Sequence, residues 1–223
     1  IRDDTDMGHY SKKDAISVVT KCALRFKNEL DGKNLLFVCY DKTDRLSLIE
    51  FTFKSMNFLH MTGLVPDRNI TAKEFYRKCV DHKLSERDFE FPENGTAELK
   101  LDVLPYVISK DLSARMIGDL GSLHPKLHTE KLAGSVRACV GFVHTGNGRY
   151  VPNTVLKTDI RDNVDKPSRV VAVLRKGIEH RAYREVTYKV RDFDFSSSKW
   201  PDEYGYVPRL LESDCQQTDK SVI

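Results

Sequence analysis

Apolar residues recur at helical spacing from Ser11 to Leu30, where Ala15, Val18, Val19, Cys22, Ala23, Phe26 and Leu30 share one side. Ser11 followed by Asp14 is a capping arrangement, and Asp31-Gly32 stops the helix. The pattern then changes to that of strands. Asn34 to Tyr40 (N-L-L-F-V-C-Y) is rich in large apolar and aromatic residues, and Leu46 to Phe53 mostly alternates. Between them Asp41-Lys42-Thr43-Asp44 reads as a turn, so a helix followed by a hairpin is the first unit. His60 follows in F-L-H-M-T-G-L, where Gly63 and Pro66 signal a turn. A strand giving way to a loop or short helix is expected there.

A second helix begins at Thr71, capped by Thr71 and Glu74, with Phe75 and Cys79 on its apolar side. Lys83 to Gly95 reads as a polar loop. Leu101, Leu104, Val107, Ile108 and Leu112 suit a helix, which Pro105 interrupts. From Arg115 onward the pattern favours strands: Arg115–Asp119, His128–Leu132, Val136–His144, Arg149–Leu156, Arg169–Arg175 and Ala182–Val190. The strand at Arg149 is expected to roll into a helical turn at its end. The tail from Glu212 is polar and expected to be disordered. This order predicts one α+β domain over residues 1–211, with N-terminal helices packed on a mostly antiparallel sheet, and a tail over 212–223.

Composition narrows the class. Hydrophobic residues make up 40% of the 223 positions and charged residues 31%, enough for a sizeable core under a well-solvated surface. The net charge of +3 demands no nucleic-acid partner but permits a locally basic face. Five cysteines, Cys22, Cys39, Cys79, Cys139 and Cys215, form no C-x-x-C pair and no closed disulfide set. They predict buried thiols in a reducing compartment, hence a cytoplasmic protein. The charged start lacks the apolar core of a secretory signal, and no apolar run spans a bilayer, so no membrane partner is expected.

Most familiar chemistry signatures are missing: there is no P-loop, G-x-G-x-x-G, H-E-x-x-H or G-x-S-x-G, and no cofactor is implied. The densest polar stretch is Y-V-P-N-T-V-L-K-T-D-I-R, Tyr150 to Arg161. If extended, Lys157, Asp159 and Arg161 project to one face at period two, a phosphate site with an internal orienting carboxylate. Asp159, Asp162 and Asp165 also form D-x-x-D-x-x-D, but carboxylates in a loop are usually only solvated, and no metal site is assigned. His124, His128 and His180 sit beside charged or turn residues and read as exposed, while His144 ends the Val136 strand just before a turn.

Four blocks in order carry a resemblance: F-K-N-E-L-D-G-K (Phe26–Lys33), F-x-F-x-S-x-N-F-L-H-M-T-G-L (Phe51–Leu64), A-x-x-F-Y (Ala72–Tyr76), and Tyr150–Arg161 followed by R-V-V-A-V-L-R-K and a tyrosine-bearing strand. Together they resemble phage-associated ribonuclease-like domains of the barnase–EndoU–colicin–RelE superfamily of small RNA-cleaving toxins. The resemblance runs from about residue 20 to 190, and H-x-T-G and L-K-x-D-I-R are its most specific elements. It implies a barnase/RelE-like fold in which residues of about 84–133 form an insertion, RNA as substrate, and an antitoxin or immunity protein as partner. It also raises His60 from a core histidine to a candidate acid or base.

Metal-free RNA cleavage needs a base for the 2′-OH proton, an acid for the leaving 5′-oxygen, and cations at the phosphate. Histidine, with an ordinary pKa near 6.5, serves either proton role. The sequence therefore nominates His60 as acid or base, Arg161 and Lys157 as phosphate cations, and Thr62 and Thr154 as hydrogen-bond donors. Asp159 would orient a cation, Asn153 would contact substrate, and Tyr150, Tyr40 or Tyr183 would stack on a base. The expected activity is toxin-type endoribonucleolytic transesterification. Two rivals keep the same fold: a non-catalytic nucleic-acid-binding module and a phage accessory domain that binds another protein.

Overall fold

The computed structural model describes residues 10–121, 128–146, 148–191 and 193–213. The elements run α1 (Lys12–Glu29), β1 (Lys33–Tyr40), β2 (Leu46–Phe53), α2 (Phe58–Thr62), β3 (Val65–Pro66), α3 (Ala72–Val80), β4 (Phe89–Glu90) and α4 (Thr96–Val107). They continue as β5 (Met116–Asp119), β6 (Lys131–Gly134), β7 (Cys139–Thr145), β8 (Arg149–Leu156), β9 (Ser168–Gly177), β10 (Glu185–Lys189) and α5 (Val207–Ser213).

Helices begin where the caps place them. Ser11 accepts from the Asp14 N–H, and Asp14 reaches back to Ser11, completing the capping box of α1. Thr71 and Glu74 do the same for α3. Both boxes satisfy backbone N–H groups that a helix start leaves without partners. Pro105 lies inside the last turn of α4 rather than ending it before that point.

The strands form a mixed α+β architecture around a barrel, in place of the expected layer of helices on a mostly antiparallel sheet. The order β1-β2-β8-β7-β6-β5-β9 closes on itself because β9 also pairs with β1, and β10 adds to the free stretch of the β9 edge. All pairings in this ring are antiparallel except β2 with β8. Closure rests on two short seams. A single residue pair, Phe51 with Tyr150, joins β2 to β8, and two pairs join β5 to β9. By contrast, β1 and β9 pair over eight positions. Closing the sheet removes edges that would otherwise expose unpaired backbone groups.

Barrel interior and helix layer share one core. Phe51 and Phe53 of β2 meet Phe142 of β7 at ring distances of 4.0 and 6.1 Å, and Phe53 also meets Phe26 of α1 at 6.3 Å. A second cluster, with Leu36, Val38, Val171 and Leu174, lies on the other face of β1 and β9. Tyr183, Phe195, Val207 and Leu211 cover it. Both faces of β1 and β9 are thus buried, which explains why these strands read as continuous apolar runs.

Several expected boundaries move. The seventh strand starts at Cys139, because Val136 to Ala138 turn the chain between β6 and β7. The described residues of 84–133 supply α4, β5 and much of β6, and Leu101, Leu104, Ile117 and Ala133 sit in the main core. Glu212 and Ser213 belong to α5, so helix replaces the start of the expected tail, while 214–223 lie outside the described residues, as do Cys215 and His124. Cys22, Cys39, Cys79 and Cys139 are buried free thiols, and burial pushes each up to about 12. Among the described residues no helix is long and apolar enough to cross a membrane.

Candidate functional site

The stretch that looked most like a phosphate site does not stay extended. Strand β8 ends at Leu156, and Ile160 to Asp162 form a single 3-10 turn, so Lys157, Asp159 and Arg161 do not share a period-two face. Asp159 caps that turn by accepting the Arg161 N–H at 2.9 Å. The Arg161 guanidinium then grips the same carboxylate, with Nε at 3.0 Å and Nη2 at 2.6 Å. These hydrogen bonds hold the Asp159 carboxyl below its usual range and raise the arginine. Lys157 is paired as well, with its Nζ 2.7 Å from Asp102 Oδ2. Both nominated cations therefore already have carboxylate partners.

Local chemistry explains H-M-T-G differently from its expected role. His60 is exposed on α2, not a core histidine. Thr62 is fully buried. Its hydroxyl donates to the Leu59 carbonyl at 2.8 Å and accepts the Leu64 N–H at 3.1 Å, which closes the end of α2. Its proton and one acceptor position are thus engaged by the backbone. Gly63 adopts φ 74°, the left-handed stop after a helix. A Cβ there would meet Lys100 Cδ at 2.8 Å. The glycine thus makes room for Lys100, whose Nζ donates to the His60 carbonyl at 3.3 Å.

Thr154 and Lys157 do meet in one place. With Lys100, Leu99 and Thr158 they line a groove of about 340 Å³ between α4 and the end of β8, whose lining includes neither His60 nor Arg161. Thr154 is buried at its wall. Asn153 is held on the strand, donating to the His128 carbonyl and accepting from Thr129 Oγ1 at 3.2 Å.

Tyr150 belongs to a second, larger cleft of about 490 Å³ at the β2/β8 seam. Glu50, Arg45, Lys131, Asp119 and Lys166 also line it. Lys131, paired with Asp119, stands over the Tyr150 ring at 5.5 Å, and the exposed His144 ring lies 5.2 Å from Tyr150.

Glu50 is the hub of a polar network on the adjoining β1–β2–β9 surface. Its side chain is only 12% exposed. Arg149 Nε lies 2.6 Å from Oε1, and the Asn34 amide donates to that same oxygen at 3.2 Å. Tyr183 donates to Oε2 at 2.6 Å, and Lys176 Nζ stands 3.8 Å from Oε2 and 4.5 Å from the Tyr183 ring. Burial first, then the hydrogen bond and charge of Glu50, raise Tyr183, which therefore keeps its proton. Burial and Glu50 also push Tyr204 up to about 12.

A half-buried arginine on a nearly buried carboxylate, with a lysine and a protonated phenol around it, is a charge-dense arrangement at the rim of an open cleft. Sequence reasoning missed it because its members come from β1, β2, β8, β9 and the loop before β10. The available signal was polarity at the ends of apolar strands: Asn34, Glu50 and Lys176 each interrupt a hydrophobic run.

Neither curated proteins nor solved structures include a match to this chain. One family model, described as phage-Barnase-EndoU-ColicinE5/D-RelE like nuclease4 (PBECR4), matches residues 18–192. That span runs from within α1 through β10 and takes in both clefts and the Glu50 network, so the chain belongs to this family of phage-associated, barnase-, EndoU-, colicin- and RelE-like nucleases.

Proposed function

We propose that this nuclease cleaves RNA without a metal ion, by attack of the 2′-OH on the adjacent phosphate, and that the cleft around Glu50 is its active site. The single observation that carries the reading is the Glu50–Arg149 pair, whose carboxylate residue lines the cleft. A carboxylate there can accept the 2′-OH proton. Arg149, about half exposed, can turn from Glu50 to the phosphate, where a guanidinium binds two oxygens at once. Lys131 and Lys166 add positive charge along the cleft, the role a metal would otherwise fill. Tyr150 offers a ring for a base to stack on. His144, whose ring lies 5.2 Å from that of Tyr150, would protonate the leaving 5′-oxygen.

Cleavage of labelled RNA in EDTA tests this. Glu50→Gln is expected to lose about 10²–10⁴-fold in rate, the range for a lost acid–base group. His144→Ala is expected to lose rate on RNA but to keep most of it on a 3′-aryl phosphate ester, whose leaving group needs no proton. His60→Ala is expected to cleave normally. A His60→Ala variant that folds but does not cut, beside an active Glu50→Gln, would move the centre to α2 and overturn the reading.

A further inference from the structure

The groove between α4 and the end of β8 plays no part in the proposed cleavage, yet it gathers the residues around which both distinctive sequence blocks turn. Lys100 is its central cation. The left-handed Gly63 leaves space for the lysine stem, and the end of α2 supplies the only hydrogen-bond acceptor of its ammonium among the described residues, the His60 carbonyl at 3.3 Å. Among the described residues no carboxylate offsets its burial, which draws its pKa down. Lys157, from the other block, enters the same groove with its charge matched by Asp102 at 2.7 Å. Asp102 also accepts from the Tyr10 hydroxyl at 3.0 Å, so it keeps a partner if Lys157 swings away. Leu99, Val155 and Leu156 give the groove an apolar wall, and Thr158 and Asn163 give it polar ones. A cation lacking a counter-ion, a second cation with a replaceable one, and an apolar wall suit a chain of phosphates carrying flat apolar bases.

We infer that this groove is a phosphodiester subsite, in which Lys100 and Lys157 hold the backbone of single-stranded nucleic acid away from the cleft that cuts it. Strand β8 carries both, with Tyr150 in the cleft and Thr154 to Leu156 in the groove. At about 3.3 Å per residue the two positions are on the order of 13–20 Å apart. A strand of several nucleotides could therefore engage both. The identity of the ligand rests on the nuclease reading, but the test reads binding and not cleavage.

A fluorescent deoxyribo-oligonucleotide, which lacks the attacking 2′-OH, would be titrated by anisotropy at several salt concentrations. Each phosphate contact contributes about 0.7 to the slope of log K against log salt for single strands. Lys100→Met is expected to bind several-fold more weakly and to lower the slope by about 0.7. Leu99→Trp, which fills the groove without changing charge, should reproduce the loss of affinity. Thermal melts of both variants check that they fold. Equal affinity and slope for wild type and folded Lys100→Met would overturn the proposal, as would a wild type that does not bind. A Lys100-dependent thermal shift with inorganic phosphate, without oligonucleotide binding, would reassign the groove to a free anion and overturn it too. If the nuclease reading alone fails, RNA stays intact while the Lys100-dependent slope remains.

Discussion

At the scale of single residues, the block H-M-T-G is a device for ending a short helix and seating a lysine. Thr62 ties the last turn through two backbone bonds, Gly63 takes the left-handed conformation, and Lys100 lies across it. Gly63→Ala therefore meets two penalties: strain at φ 74° and a contact of 2.8 Å with the Lys100 stem. We expect a loss of about 1–2 kcal/mol, read as a fall in melting temperature of roughly 2–8 °C. Oligonucleotide binding should weaken in parallel, since Lys100 must shift. An alanine variant with unchanged melting and binding would contradict this account. Glu50 teaches the complementary point. Its partners Arg149, Lys176 and Tyr183 lie far along the chain, and no local pattern ties them to it.

Among the elements, caps and loops show which polar residues act structurally. Asp88 closes the loop after α3 by accepting the Ser85 N–H at 2.7 Å and its hydroxyl at 3.0 Å, and by pairing with Lys78 at 2.7 Å. Burial works to raise this carboxyl, but Lys78 and Ser85 outweigh it and hold it below the ordinary range. A depressed folded pKa stabilises the protein above the unfolded value, near 3.9, and the benefit fades as pH falls through the folded value. Asp88→Asn should thus cost about 1–3 kcal/mol near neutral pH. The gap between its melting curve and that of wild type should narrow below about pH 4. Melts recorded across that range check the sign, and a gap that widens in acid would refute it. Helices α1 and α3 were legible because a capping box is a local device. The pairing just beyond β8 was not, because Asp159 and Arg161 close on each other in a turn instead of sharing an extended face.

For the whole molecule, the barrel holds together unevenly. Strands β1 and β9 pair along eight positions with both faces buried, whereas the β2/β8 seam has one pair and the β5/β9 seam two. Local opening should follow that difference. In native-state hydrogen exchange, amides of Leu35–Cys39 and Val170–Leu174 are expected to be the slowest of the strands, and those of Met116–Asp119 and Arg149–Val151 the fastest. Uniform protection around the ring would mean that the seams are as strong as the long pairings. The proposed active cleft opens at the β2/β8 seam, where the backbone ladder is thinnest. On the proposed reading, a gap in the barrel wall would admit a substrate that a closed ladder would exclude.

Much of this protein follows from the chain read by itself. Period and capping placed α1, β1, β2, α3, β8 and β9 close to their observed ends, and the four quoted blocks carried the nuclease family before any contact was known. Buried cysteines followed from their apolar neighbours. These features are local: a helix repeats every few residues, and a cap needs only its own first turn. Tertiary structure alone decided the rest. Closure of the sheet depends on β9 meeting both β1 and β5, and β5 became part of the barrel through that pairing. Arg161 and Lys157 acquired carboxylate partners, one through a turn and one from a helix 55 residues away. Glu50 acquired Asn34, Arg149, Lys176 and Tyr183 because four strands and a loop bring their ends to one place. Charges and hydrogen-bond partners are set by distance in space, and only a folded chain makes residues so distant in sequence into neighbours.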